Sequence, residues 1–183
     1  AFYEKLVAWA KTYEVGVVSD LAYGALGYRG YENPSFLSTP GAKDVGIEFY
    51  TFSKTFNMAG WRLAFAAGNA RMIEALNLIQ DHLFVGIFPA LQEAGIAALL
   101  DPKSEEAVAQ LNAVYDSRRD AFTQSAAKIG WQAFPSKGSF YAWMPVPEGY
   151  TSESFADLLL EKAHVAVAPG KGFGPAGDAY VRI

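Results

Sequence analysis

The stretch Ile47-Glu48-Phe49-Tyr50-Thr51-Phe52-Ser53, continued by Lys54-Thr55-Phe56-Asn57-Met58-Ala59-Gly60-Trp61-Arg62 and then by Leu63 to Ala67, sets the topology of the chain. Ile47 to Ser53 is dominated by β-branched and aromatic residues, the signature of a buried strand, and Leu63 to Ala67 reads as a second one. Nine residues, Lys54 to Arg62, separate them. A parallel crossover needs about a dozen or more residues, usually with a helix, so these two strands are predicted to be antiparallel.

Upstream, Phe2, Leu6, Trp9 and Tyr13 recur at helical spacing and lead into the β-branched run Val15 to Ser19, a helix feeding a strand. Ala1 stands already inside that pattern. Asp20 to Gly46, rich in Gly, Tyr, Pro and Ser, reads as a long connection with a short helical piece near Ser35 to Gly41. Downstream, helices are expected over Arg71 to Asp81 and over Pro89 to Leu100, the latter with Pro in its first turn. Asp101-Pro102 then offers an N-cap and a first-turn Pro to a helix of almost thirty residues ending at Gly130. Beyond it the pattern changes to strands at Trp131 to Phe134 and Phe140 to Met144, a helix over Ser154 to Ala163, a strand at Val165 to Ala168, a Gly/Pro loop, and a last strand at Tyr180 to Ile183. The expected organisation is a larger α/β lobe over residues 1–115 and a smaller α+β lobe over 116–183, bridged by the long helix.

Composition narrows the function. The 183 residues are 51% hydrophobic and 19% charged, material for a packed core. Fifteen Lys and Arg against nineteen Asp and Glu give a net charge of -4, which argues against nucleic acid as a partner. There is no Cys, so disulfides and thiolate-bound metals play no part. The apolar runs are broken by charge, Gly or Pro well short of about 18 residues, so no membrane span is expected, and a cytoplasmic location suits the whole.

Chemistry concentrates on the opening stretch. In α/β sheets ligands collect at the carboxyl ends of strands; Lys54 follows one strand and Asp20 another. If those two are parallel, both side chains share one edge, and the antiparallel return brings Arg62 back beside Ser53 and Lys54. A desolvated amine flanked by cations becomes a nucleophile toward carbonyls. Spacing alone favours two solvated loop cations and an aspartate capping a turn. Other motifs fail on context. Gly172, Gly174 and Gly177 spell G-x-G-x-x-G, but Pro175 interrupts them and a strand follows where a helix should begin. Ser125 and Lys128 give S-x-x-K late on a helix without its partner motif. His82 and His164 are too few and too far apart for a metal site.

Ser53-Lys54-Thr55-Phe56-Asn57-Met58-Ala59-Gly60-Trp61-Arg62 resembles the lysine motif of the class I and II aminotransferases, pyridoxal phosphate enzymes of fold type I, and Ser19-Asp20-Leu21-Ala22-Tyr23 resembles their upstream aspartate motif. Pro135-Ser136-Lys137-Gly138-Ser139-Phe140-Tyr141, Val167-Ala168-Pro169-Gly170 with Phe173-Gly174, and Tyr180-Val181-Arg182-Ile183 extend the resemblance over the whole chain.

The resemblance implies an α/β fold: part of the large cofactor-binding domain, with a mixed, mainly parallel sheet covered by helices on both faces, plus part of a small α+β C-terminal domain. The chain would correspond to the second half of a family member. The implied activity is transfer of an α-amino group from an amino acid to a 2-oxo acid through pyridoxal 5'-phosphate, in a homodimer. Lys54 would bond the cofactor and shuttle the proton, Asp20 would face the pyridine nitrogen, and Tyr23 would donate to the ring oxygen. Ser53 and Arg62 would hold the phosphate and Arg182 the substrate carboxylate. Phe140, Tyr141 and Phe173 are expected in the core. Two alternatives share these motifs: a carbon-sulfur β-lyase of the same fold, and the aminotransferase-like effector domain of a transcription regulator.

Overall fold

A computed structural model describes residues 2–134 and 136–183. Ala1, placed by the sequence reading inside a helix, and Pro135, the first residue of one motif, lie outside the described residues. The chain divides into two compact units, residues 1–112 and 113–183.

The first unit opens with α1 (Phe2–Thr12), whose Val7 and Ala10 are buried. Strand β1 (Val17–Asp20) follows. The chain then makes a 3-10 turn (Phe36–Ser38) and one turn of helix, α2 (Ala42–Val45), before β2 (Gly46–Thr51). Phe36 and Ala42 are fully buried and meet Val7, so this long connection is anchored through its own small core. Burying a ring such as Phe36 stabilises by about 1.5–3 kcal/mol.

A one-turn helix α3 (Phe52–Thr55) and a 3-10 turn (Ala59–Trp61) lead into β3 (Ala64–Gly68). The strand order is β1-β2-β3. β1 runs parallel to β2, with Val17 opposite Gly46 and Asp20 opposite Phe49. β3 runs antiparallel to β2, with Ile47 opposite Gly68 and Thr51 opposite Ala64, as the nine-residue gap requires.

Two glycines bring the amino-terminal end of β2 against its neighbours. A Cβ at Gly46 would sit 2.5 Å from the Val17 carbonyl oxygen and 2.8 Å from the Phe36 ring. Gly68 has φ +137, a conformation that L side chains rarely adopt, and a Cβ there would meet the Gly46 carbonyl and come within 2.7 Å of Ile47 Cα.

Helix α4 (Ala70–Leu83) starts at Asn69, whose Oδ1 accepts from Met72 N at 3.2 Å and whose Nδ2 donates to the Asp44 carbonyl at 2.9 Å. The exposed stretch at its carboxyl end and beyond is apolar: Leu83, Phe84, Val85, Ile87 and Phe88 are all exposed. Helix α5 (Pro89–Leu100) follows with Pro at its first turn. It packs through Gly95, where a Cβ would lie 2.8 Å from Leu63 and 3.3 Å from Phe52. Helix α6 (Ser104–Lys128) begins later than the sequence suggests: Asp101 Oδ1 accepts from Lys103 N at 2.8 Å, which forms a turn and leaves Asp101 and Pro102 outside the helix. Asn112 Nδ2 ties α6 to the turn after β1 through the Ala25 carbonyl at 2.7 Å.

In the second unit, β4 (Trp143–Pro145), α7 (Ser152–Ala163), β5 (Ala168–Pro169) and β6 (Tyr180–Arg182) follow the end of α6. The three strands form an antiparallel sheet in the order β4-β6-β5. Met144 and Val181, both fully buried, pack with Ala126 and Phe155. Thr151 and Ser154 cap α7 reciprocally, backbone N of each to the side-chain oxygen of the other. The strand expected over Trp131 to Phe134 does not form. Phe134 N donates to the Trp143 carbonyl at 3.2 Å, while the Trp131 indole donates to Pro145 at 2.6 Å and packs edge-on against Phe155, so this segment is held by a side chain.

Candidate active site

Each chemistry-bearing residue of the first unit is placed by a strand end. β1 and β2 are parallel, so their carboxyl ends, at Asp20 and Thr51, lie on one edge. Leu21 N donates to the Phe49 carbonyl at 2.9 Å, which keeps the chain on the sheet for one residue past Asp20. Asp20 itself is exposed, as expected of a carboxylate that ends an edge strand.

Lys54 rides on α3, and the turn is fastened on three sides. Thr51 caps it, its hydroxyl oxygen accepting from Ser53 N at 3.1 Å and lying 3.0 Å from Ser53 Oγ. Phe52 is buried and packs against Phe56 and Phe65, with ring centroids 5.6 and 5.9 Å apart. Thr55 is buried and its hydroxyl lies 2.7 Å from that of Tyr50, whose ring stacks on Phe65. With residues 52 and 55 turned inward, Ser53 and Lys54 are left half-buried on the outer side of the turn. A helical turn cannot point four consecutive side chains the same way.

The return to β3 brings Arg62 to the same edge. Phe52 N donates to the Leu63 carbonyl at 3.2 Å, one step beyond the Thr51–Ala64 pair. Arg62 has φ 54, in the left-handed region; it is exposed beside the buried Leu63, and its Nη1 donates to the Ala59 carbonyl at 3.0 Å. The sheet edge therefore carries Asp20, Ser53, Lys54 and Arg62 together, a set of carboxylate, hydroxyl, amine and guanidinium suited to a small anionic cofactor. Tyr23 follows three residues after Asp20, half-buried in a turn whose backbone is pinned by Leu26 N and Asn33 Nδ2, both donating to the Tyr23 carbonyl.

Glu48 is the residue that sequence reasoning passed over. It is buried in the middle of β2 and takes three hydrogen bonds: from Ser19 Oγ at 2.9 Å, Ser35 Oγ at 2.6 Å and Phe36 N at 2.7 Å. The carboxylate thus joins β1, β2 and the Phe36–Ser38 turn, and it does so through the residue next to Asp20. The signal was available as a lone charge inside an otherwise apolar run.

Arg182 lies in the second unit, on the central strand β6, opposite Trp143 on one side and Ala168 on the other. Its guanidinium carbon is 4.3 Å from the centroid of the Tyr141 ring and 4.4 Å from that of Phe173. Phe173, expected in the core, is 54% exposed, and Tyr141 is half-buried. Both rings serve Arg182 as packing faces. Phe140, also expected in the core, is half-buried and packs against Tyr141 and Tyr115.

The fold and this edge define a class of protein: the family described as aminotransferase class I and II matches residues 1–183, and the chain belongs to it. Its architecture is that of part of a fold type I aminotransferase. Along its whole length the chain is 57% identical to the L-glutamine--4-(methylsulfanyl)-2-oxobutanoate aminotransferase of Bacillus subtilis, of which it covers 45%. It is 48% identical to the LL-diaminopimelate aminotransferase of Moorella thermoacetica, covering 46% of that protein. The substrate-bound structure of BacF from Bacillus subtilis superposes on all of the chain with a TM-score of 0.94 at 47% identity, 46% of that chain being covered. The chain thus spans about half the length of the curated relatives it matches.

Proposed function

We propose that the protein transfers the α-amino group of an amino acid to a 2-oxo acid with pyridoxal 5'-phosphate as cofactor. The observation that carries this reading is the parallel β1–β2 pair followed by the antiparallel return, which sets Asp20, Lys54 and Arg62 on one sheet edge. The donor set fits the group: an amine for its carbonyl carbon, a carboxylate for its ring nitrogen, and a hydroxyl and a guanidinium for its phosphate.

Bound there, pyridoxal phosphate supplies an electron-accepting ring for the carbanion left when the substrate α-carbon loses its proton. The chain's own residues do the rest. Lys54 Nζ takes that proton as general base and returns it as general acid, from a turn fixed by Thr51, Phe52 and Thr55. The Asp20 carboxylate holds positive charge on the ring nitrogen. Tyr23 donates from its hydroxyl to the ring oxygen. Ser53 Oγ and the Arg62 fork hold the phosphate, and Arg182 takes the substrate α-carboxylate. The names of the relatives support glutamine with 4-(methylsulfanyl)-2-oxobutanoate as the first donor and acceptor to assay, and LL-diaminopimelate as the next. The apolar surface at Leu83 to Phe88 supports a homodimer.

The test is to add pyridoxal phosphate, reduce with borohydride and map the modified peptide. The expected label is on Lys54. A label on any other lysine refutes the assignment.

A further inference from the structure

Arg182 is half-buried in the middle of the small sheet, and among the described residues no carboxylate lies within ion-pair distance of it. A guanidinium in that position needs something to hold its plane, because its stem alone leaves several rotamers open. The two rings supply this. With the guanidinium carbon 4.3 and 4.4 Å from their centroids, both contacts fall well inside the range in which a cation is attracted to an aromatic face.

Each ring is itself held. Tyr141 N donates to Ser139 Oγ at 3.2 Å, and the next residue, Ala142, exchanges two backbone hydrogen bonds with Ile183, at 2.8 and 2.9 Å. Tyr141 therefore enters beside Arg182 from a paired backbone. Phe173 ends the 3-10 turn Gly170–Phe173, and its ring meets Trp143 edge-on, centroids 5.7 Å apart at 75°. The Trp143 ring is in turn stacked on Tyr180. The turn is tied down by Lys171 N, which donates to Ser152 Oγ at 3.2 Å, while Ser152 Oγ donates to Asp178 at 2.8 Å. Gly170 and Gly177 approach so closely that a Cβ on either would meet the other's carbonyl.

We propose that Tyr141 and Phe173 are positioning residues that fix the plane of the Arg182 guanidinium and leave its N–H edge open to an incoming carboxylate. The inference rests on the reading of Arg182 as the carboxylate-binding residue. It adds that the geometry of this contact is set by the faces of two rings. Exposed or half-buried cation–π contacts of this kind change a dissociation constant roughly two- to fivefold each.

The test uses the full chain labelled with 15N-arginine and follows the Arg182 Nε–Hε signal, assigned by its loss in Arg182→Lys. Ring currents should place this proton upfield of the other arginine side chains. Pyruvate is titrated as the probe, with pyruvamide as its uncharged counterpart. Tyr141→Leu and Phe173→Leu should each move the proton downfield and weaken pyruvate binding roughly two- to fivefold, whereas Tyr141→Phe and Phe173→Tyr should keep both. Methyl signals of Met144 and Val181 report whether a variant is still folded. Leucine variants that leave the Arg182 signal in place overturn the proposal, as does loss of the signal's position in the aromatic variants. If Arg182→Lys binds pyruvate as well as the parent does, the reading of Arg182 fails, and the ring-current shift still decides whether the two rings hold it.

Discussion

Replacing Glu48 separates the buried carboxylate's part in the fold from that of its neighbours. In Glu48→Ala the donors Ser19 Oγ, Ser35 Oγ and Phe36 N lose their acceptor together. A hydrogen bond to a charged group contributes about 1.5–3 kcal/mol, and a buried donor left unpaired costs about 1–3 kcal/mol. The three do not add in full, because both serine hydroxyls can rotate toward other acceptors, while Phe36 N–H, beside a fully buried ring, cannot. Removing the carboxylate also removes its desolvation cost. The balance is a loss of about 3–5 kcal/mol. Glu48→Gln should lose only about 1–2 kcal/mol, since the amide keeps one oxygen for Ser19 and Phe36 and turns its NH2 toward Ser35 Oγ. Amide hydrogen exchange under native conditions is the assay, because it reads the two units separately. Protection should fall at Phe36, Val18 and Ile47 in the alanine variant and stay unchanged at Met144 and Val181. An alanine variant that protects Phe36 as well as the glutamine variant does would refute the reasoning.

Other outcomes follow from the same contacts. Lys54→Ala should bring borohydride-fixed cofactor to background while leaving the far-ultraviolet circular dichroism unchanged, since Lys54 lies on the outer side of α3. Met144→Ala empties a fully buried position and should cost about 2–5 kcal/mol, read by urea unfolding of the second unit. The Lys171 amine is held above its ordinary value by a hydrogen bond to Glu153 and by that residue's charge. Because the folded value is the higher one, the contact's contribution is present at neutral pH and is lost as the pH rises through it, so Glu153→Gln should lower the Lys171 titration midpoint followed by NMR.

The sequence carried the parts of the fold that are local. Pro89 marks the start of α5 and the run from Ile47 marks β2 because first-turn proline and strand composition act over a few residues. The antiparallel return was legible because nine residues cannot make a parallel crossover. Trp131 to Phe134 reads as a strand because composition does not distinguish one from a segment whose apolar residues are held by an indole hydrogen bond and an edge-on ring. At the site, Asp20, Lys54 and Arg62 could be placed from strand order alone. Glu48 could not, since its role depends on Ser35 and Phe36 arriving from a loop without periodicity. Phe173 reads as core because an aromatic ring is most often buried, whereas in the fold it is exposed and lies against the Arg182 guanidinium.

Gly46 and Gly68 lie at the opposite end of the sheet from Lys54, yet each tolerates no side chain. In a saturation scan scored by the proposed activity, both should register as sharply as the lysine. The scan would mark the two ends of the sheet as equally essential, one for its amine and the other for the missing methyls. Scoring folded protein alongside turnover separates them: substitutions at 46 and 68 deplete the folded pool, while substitutions at 54 leave it full and silent.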